Sequence, residues 1–507
     1  MTHSTFHSSS RPPLAPSMRL LHSILLAPLL FVCAATAADL YLAQGVVAGE
    51  VTSNSVILQT RLTATPGLDP TGDVPGASGH VRFEIAPNES FSGARQTPWT
   101  KATADADFIA KGVVDGLQPG TRYYFRALYS SSSTAPGPNS RVLRSTTAMF
   151  KSLPSSGTAA PVNFILTSCL NYSFFREGHK GGKNAKTTIP AYTGADRELG
   201  YPALEPITKL APDFVIIDGD CVYYDHPVER TARTLVELRK KWHEQYVMPR
   251  FVQLFSRTAT YWLKDDHDHR KNDSDATGNY EPSHALGIAT FREQVPIVDP
   301  ASRNAVTYRT HRMGRDLQLW FVEGRDYRSP NDEPDGPRKT IWGAEQRAWL
   351  QRTLKESDAT YKILVSPSPL IGPDDGSKRD NHVNPRGFKQ EGESFLAWLK
   401  ENGIKPGQFY ILSGDRHWKY HSQHATGFEE LTCGALNREN SRLGRNPGDP
   451  QSTDPDAKVK QFYTDNPMSG GFLRVAVTPG SGATTARIQF QHYDDKGAVL
   501  YQYQHPR

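Results

Sequence analysis

Cysteine is scarce in this chain: four residues in 507, too few for a disulfide framework to organise the fold. Charge of one sign is scarce as well. Lys and Arg number 58 against 53 Asp and Glu, a net charge of +5 with no long basic run, so specific nucleic-acid binding is not expected. Long apolar runs are missing outside the extreme N-terminus, and no internal repeat is found, which argues against a multi-span membrane protein or a solenoid. What is present is ordinary for a globular protein: 37% hydrophobic and 22% charged residues, too apolar for overall disorder. The length suggests about two to four domains. Forty Gly and 37 Pro predict many turns and long surface loops.

The exception near the N-terminus reads as an address. Residues 18–38 place Arg19 before an apolar run at 24–35, followed by the small residues Ala35, Thr36, Ala37 and Ala38. That is the layout of a secretory signal peptide, 1–38, with Met18 a possible start. No Arg pair precedes the run, which favours the general secretion route to a periplasm or the exterior. Cleavage leaves Cys169, Cys221 and Cys433. An odd number means that at least one thiol is unpaired or has another task.

Residues 39–150 read as all-β. Val56, Leu58 and Thr60 alternate with Ile57, Gln59 and Arg61, and Pro119-Gly120 precedes the Tyr-bearing run at 122–128 in the manner of a tyrosine corner. The segment resembles a fibronectin type III or immunoglobulin-like sandwich. Residues 130–140 and 152–160 read as a loop and a linker. From 160 to 507 short apolar strands (162–167, 214–217, 260–263, 317–322, 362–365, 409–412) alternate with helical stretches (228–246, 344–355, 394–401), an α/β pattern. The end is β again, and 437–466 reads as a long polar loop.

The polar clusters fall just past strand ends. Ser168-Cys169 follows the first strand of this region, Asp218-Gly219-Asp220 the second with Tyr223, Tyr224 and Asp225 behind it, Asp265-Asp266-His267-Asp268 the third, and Gly414-Asp415-Arg416-His417 the last. Carboxyl ends of strands are where sites form in open α/β sheets, so these clusters are expected to converge. So many carboxylates without a cation would repel one another, and a metal removes that penalty. Oxygen-rich donors prefer hard cations to zinc, and a Tyr and a Cys among them favour a trivalent iron beside a divalent ion. Taken singly, Cys169 is a core thiol, Tyr223 packing, and Asp265, Asp268 and Asp273 solvated or supporting carboxylates; the shared position is what turns Cys169 and Tyr223 into candidate ligands. Cys433 reads as core, and the basic residues at 176–186 as a surface that can draw in an anion.

The order strand–GDxxY, strand–DDHD, strand–GDxH resembles the dinuclear metallophosphoesterase superfamily, and most closely its PhoD-like alkaline phosphatase/phosphodiesterase branch. The motifs are Ser168-Cys169, Gly219 to Tyr223, Trp262 with Asp265 to Asp268, Asn272-Asp273, and Gly414 to His417. The resemblance implies a four-layer α/β/β/α sandwich of mixed sheets after the β-sandwich. It implies that Asp220 bridges two metals, with Cys169, Tyr223, Asp266, Asn272, Asp415 and His417 completing the ligand sets. His267 would be the general acid/base or a phosphate-orienting group, and Arg325, or Arg328 nearby, would hold a phosphate oxygen. Fe3+ with Ca2+ is the implied metal content, Mn2+ or Mg2+ being other hard ions. The expected activity is hydrolysis of phosphate mono- or diesters by a metal-activated hydroxide at alkaline pH, in a monomer with no membrane span after cleavage. A diesterase for phospholipid, teichoic-acid-like or nucleic-acid substrates and a decayed surface-binding module are the alternatives.

Overall fold

The computed structural model describes residues 39–179, 188–299, 302, 305–481 and 484–505. Residues 1–38, expected to be a signal peptide, and residues 180–187 of the basic loop lie outside the described residues. Two large sheets carry the architecture. In the first, Val162–Thr167, Phe214–Asp218 and Ala259–Leu263 run parallel, in register Leu166↔Ile216↔Tyr261. Gly471–Thr478, Arg487–Asp494 and Val499–Gln504 extend it antiparallel on one side. In the second, Leu317–Phe321, Tyr361–Ser366, Phe409–Ser413 and Glu429–Cys433 run parallel between antiparallel outer strands. Both sheets are therefore mixed.

Strand alternation assigns the layers. Phe164 and Leu166 face the second sheet, packing with Leu319, Phe321, Val365 and Leu412. Ile165, Val215 and Ile217 face outward onto Leu238, Trp242, Phe251 and Phe291. On the far side Trp320, Leu364 and Ile411 pack on Leu350, Leu354, Phe395 and Leu399. The order is helix, sheet, sheet, helix. Central strands covered on both faces read as unbroken apolar runs, which is why they were legible. Helix ends are set locally. The helix expected from 228 begins at Leu235, because Thr234 and Glu237 form a capping box; Val228–Arg230 is one separate short turn. The helix Gly343–Glu356 buries Gln346, Leu350 and Leu354 at fourfold spacing.

The regular elements of residues 39–151 are strands apart from one short helical turn. Tyr123 accepts a hydrogen bond on its hydroxyl from the Gln118 backbone N–H at 2.8 Å, the corner expected from the Pro-Gly turn. Gly79–Ala86 and Arg122–Ser130 centre a six-stranded sheet. The other strands join the half of the chain that follows residue 160. Val46–Gly49 pairs in parallel with Ala259–Leu263 at Gly49↔Thr260, and Ser55–Arg61 and Ile109–Asp115 continue beyond it. Among the described residues the first large sheet thus has nine strands and runs through the sequence boundary near 150.

Candidate metal centre

The four strand-end clusters meet. Ser168 bridges to Ala435, joining the ends of the two sheets. The strand ends approach so closely that a Cβ on Gly414 would sit 2.2 Å from the Asp218 carbonyl oxygen, and one on Gly219 2.6 Å from Asp265 Cβ. Glycine is required at both positions, which is the physical content of the two GD motifs. The next residues turn sharply: Cys169, Asp220 and Asp415 all take left-handed backbone conformations, with φ of 57°, 52° and 57°. Such a conformation costs roughly 1–3 kcal/mol for a residue with a Cβ, and it clusters where function demands a fixed side chain.

Donor atoms of Cys169, Asp220 and His417 lie within 4.8 Å of one another, as do those of Asp220, Asp266 and His267, and those of Asp265, Asp266 and Asp415. Asp220 is common to the first two groups and Asp266 to the last two, so the donors form one continuous file. Tyr223 donates its hydroxyl to Asp220 Oδ2 at 2.8 Å and stacks its ring on His267 at 4.1 Å. Asp220 Oδ1 and Asp265 Oδ2 are buried with no hydrogen-bond donor among the described residues. Burial, reinforced by the neighbouring carboxylates Asp266, Asp265 and Asp268, drives the Asp220 pKa well up despite His267. Burial also lifts Asp265 to about 8 against the pull of Arg325. Burial and the Asp220 charge raise the Cys169 thiol in the same way. Buried carboxylates stripped of donors beside a thiol and a phenol are a poor arrangement for an apo protein and a suitable one for hard cations.

His267 is arranged differently. Burial opposes its charged form, but Asp225, Asp266 and Asp220 outweigh it and raise the imidazole's pKa. Its Nδ1 meets Asp225 Oδ1 at 2.6 Å, and Asp225 Oδ2 accepts from the Asn272 backbone N–H at 2.9 Å. His417 is held neutral by burial and by Arg442, His267 and Arg416. A groove of about 720 Å³ runs past Asp225, His226, Lys271, Asn272 and Tyr280.

The family model described as PhoD-like phosphatase matches residues 164–481, and that for the PhoD-like phosphatase N-terminal domain matches 30–148. The chain belongs to the PhoD-like phosphatase family. Over 500 residues it is 23% identical to alkaline phosphatase D of Bacillus subtilis (strain 168), covering 88% of this chain and 77% of that one. The solved structure of PhoD superposes with a TM-score of 0.67 at 19% identity, covering 92% of both chains. A purple acid phosphatase from yellow lupin (Lupinus luteus) seeds gives 0.57 at 13% identity, over 91% of this chain and 73% of that one. Both show the metallophosphoesterase-like α/β fold with mixed sheets.

Within this PhoD-like phosphatase, seven of the nine residues expected at the site stand in the file or against it. Two are placed otherwise. Arg325 is fully buried: Nε and Nη2 lie 2.6 Å from Asp265 Oδ1, and Nη1 donates to the Ser274 carbonyl at 2.9 Å. Its guanidinium is turned onto a carboxylate of the site, away from solvent. Asn272 is exposed and reaches the site through its backbone N–H. Asp265, read as a supporting carboxylate, joins Asp266 and Asp415 among the donors. Asp268 supports the site, holding the backbone N–H groups of Cys221 (2.8 Å) and Asp265 (2.7 Å). Sequence reasoning missed Asn440, whose Nδ2 donates to Tyr223 Oη and to the Cys169 carbonyl, both at 2.9 Å. It also missed Lys378 and Asp380. None lies next to a strand end or in a motif, so no local signal pointed to them. Cys221 and Cys433 are free and buried, Cys433 within the apolar core as expected.

Proposed function

We propose that this phosphatase is an exported, metal-dependent enzyme that hydrolyses phosphate esters at the file of donors centred on Asp220. The observation that carries the reading is Asp220 itself: it stands between the Cys169/His417 group and the Asp266/His267 group, one oxygen held by Tyr223 and the other without a partner among the described residues. Cys169, Tyr223 and His417 would hold an Fe3+-like ion on one side, and Asp266, Asp265 and Asp415 a Ca2+-like ion on the other. Such a pair supplies a water of lowered pKa and neutralises charge on the phosphoryl oxygens. The chain's own residues do the rest. The strained turns at 169, 220 and 415 keep the donors aimed before substrate arrives. Asp225 fixes the His267 ring through Nδ1 and sustains its protonated form. Nε2 is then the nitrogen left to hand a proton to the departing alkoxide. The groove beside Asp225 gives the organic part of the ester room.

The test is metal analysis of the purified mature protein by mass spectrometry, with a visible spectrum and hydrolysis rates for a phosphate monoester and a diester. About one iron per chain with a second hard ion, and a tyrosinate-to-iron band lost in Tyr223→Phe, is the expected result. Asp220→Ala loses metal and nearly all activity. Wild-type turnover in that variant, or no metal after reconstitution, overturns the reading.

A further inference from the structure

Beyond the Asp220 file lies another set of carboxylates. Oxygens of Asp266, Asp273 and Asp380 lie within 4.8 Å of one another. Asp380 is 1% exposed, and neither of its carboxylate oxygens has a hydrogen-bond partner among the described residues. Taken alone this resembles one more place for a divalent ion. A cation of the chain already stands there. Lys378 Nζ donates to Asp273 Oδ1 at 2.7 Å and lies 3.8 Å from Asp380 Oδ1. Arg325 Nη2 approaches Asp380 Oδ2 from the other side, also at 3.8 Å.

Geometry presents Lys378 to this set. It sits in a turn, its N–H donating to the Asp375 carbonyl at 3.2 Å, and the same segment is tied down by Asp374, which accepts from Asn381 Nδ2 at 2.8 Å and pairs with Arg416. The Lys378 side chain keeps 16% exposure, so it enters from the rim with its stem along the wall. Asp273 is turned toward it by a left-handed backbone, φ 53°, while its N–H closes on Asp266 Oδ2 at 2.6 Å.

We propose that the Lys378 ammonium is the resident cation of the Asp266/Asp273/Asp380 set, taking a position that a divalent ion would otherwise fill. The two are mutually exclusive. A calcium ion sits about 2.4 Å from each ligand oxygen and needs about six to eight of them. An ion bound to Asp273 Oδ1 would share that oxygen with an ammonium 2.7 Å away. Like charges that close repel strongly where solvent cannot screen them. Lysine suits the role because it is a compact point charge with three donors on a flexible stem. Metal occupancy is thereby confined to the file around Asp220, and this rim of the site keeps its positive charge under chelation.

The inference rests on the metal-centre reading above, and one experiment separates the two. Wild type, Lys378→Met, Lys378→Arg and Asp380→Asn are dialysed to equilibrium against Ca2+, and ions per chain are counted by mass spectrometry, with near-UV circular dichroism reporting the fold. Lys378→Met is expected to gain one Ca2+ per chain over wild type, and Lys378→Arg and Asp380→Asn to match wild type. A folded Lys378→Met with unchanged stoichiometry overturns the proposal. So does loss of one ion in Asp380→Asn, because it would place a metal at this set in wild type; that arm decides even if Lys378→Met fails to fold. Wild type holding no metal defeats the metal-centre reading instead, and gain of an ion in Lys378→Met still supports the resident cation.

Discussion

Replacing Asp107 by Asn tests how the N-terminal strands are fastened to the helices behind the site. The Asp107 side chain is 4% exposed. It accepts from Arg61 Nη2 at 3.0 Å and Gln294 Nε2 at 2.8 Å, and it meets His243 Nε2 at 2.7 Å. Arg61 belongs to the strand Ser55–Arg61, His243 to the helix Leu235–Tyr246, and Gln294 to the helix His284–Gln294. Burial opposes ionisation, but His243, Arg61 and Gln294 overcome it and bring the carboxyl from 3.8 down to about 2. At 1.36 kcal/mol per unit that difference is about 2.5 kcal/mol of folding stability at neutral pH. Because the folded-state pKa lies below the unfolded one, this contribution is complete above about pH 5, and roughly half remains at pH 3. It is lost as pH falls through 2. Asp107→Asn also leaves Arg61, 5% exposed, without its counter-charge, and breaking a buried pair from one side costs about 3–5 kcal/mol. The expected loss is therefore about 3 kcal/mol in urea unfolding followed by tryptophan fluorescence at pH 7, shrinking toward pH 3. A loss under about 0.5 kcal/mol, or one that does not change between pH 7 and pH 3, refutes the reasoning. The same helix carries Tyr246, whose hydroxyl donates to the Cys221 carbonyl at 2.9 Å, so the fastening supports the turn that bears Asp220.

Asn440→Ala removes the donors to Tyr223 Oη and the Cys169 carbonyl; the tyrosinate-to-iron band is expected to move to longer wavelength, since a phenolate without that hydrogen bond gives up charge more easily, and an unmoved band refutes the contact. Arg325→Met is expected to cost about 3 kcal/mol of stability by stranding buried Asp265, measured by urea unfolding, whereas a residue gripping substrate would raise KM and leave stability intact. His267→Gln is expected to lower kcat about 10²–10³-fold for an alkyl phosphate ester and far less for a 4-nitrophenyl ester, whose leaving group needs no proton; equal losses would remove His267 from the proton-donor role.

Much of the site could be read from the chain because its chemistry is written beside its strands. Phe214 to Ile217 is an apolar run closed by Asp218-Gly219-Asp220, and the glycine that lets neighbouring strand ends meet adjoins the candidate ligand it positions. The same holds for Gly414 and Asp415. Strand and candidate ligand are a few residues apart, so periodicity and motif report both. Arg325 shows the limit. The family resemblance gave it a phosphate oxygen to hold, yet the partner it takes, Asp265, is 60 residues away and competes for the same guanidinium.

The residues that stayed hidden are those whose partners are distant. Asn440 meets Tyr223 across 217 positions, and Lys378 meets Asp273 across 105. Both come from loops with no periodicity, where a side chain's role depends on where the chain has been carried. The junction near residue 150 is of the same kind. Alternation made 39–150 recognisable as strands, but backbone pairing leaves no mark on composition, so the parallel pairing of Gly49 with Thr260 is seen only in the folded chain. By itself the sequence determined the buried strands, the turns after them and the candidate ligands in those turns, because each is a local consequence of apolar runs and glycine. The tertiary structure alone decided which carboxylates stand close together, which are already paired with Arg or Lys, and how far the first sheet extends, because those depend on charges and strand edges brought together from opposite ends of the chain.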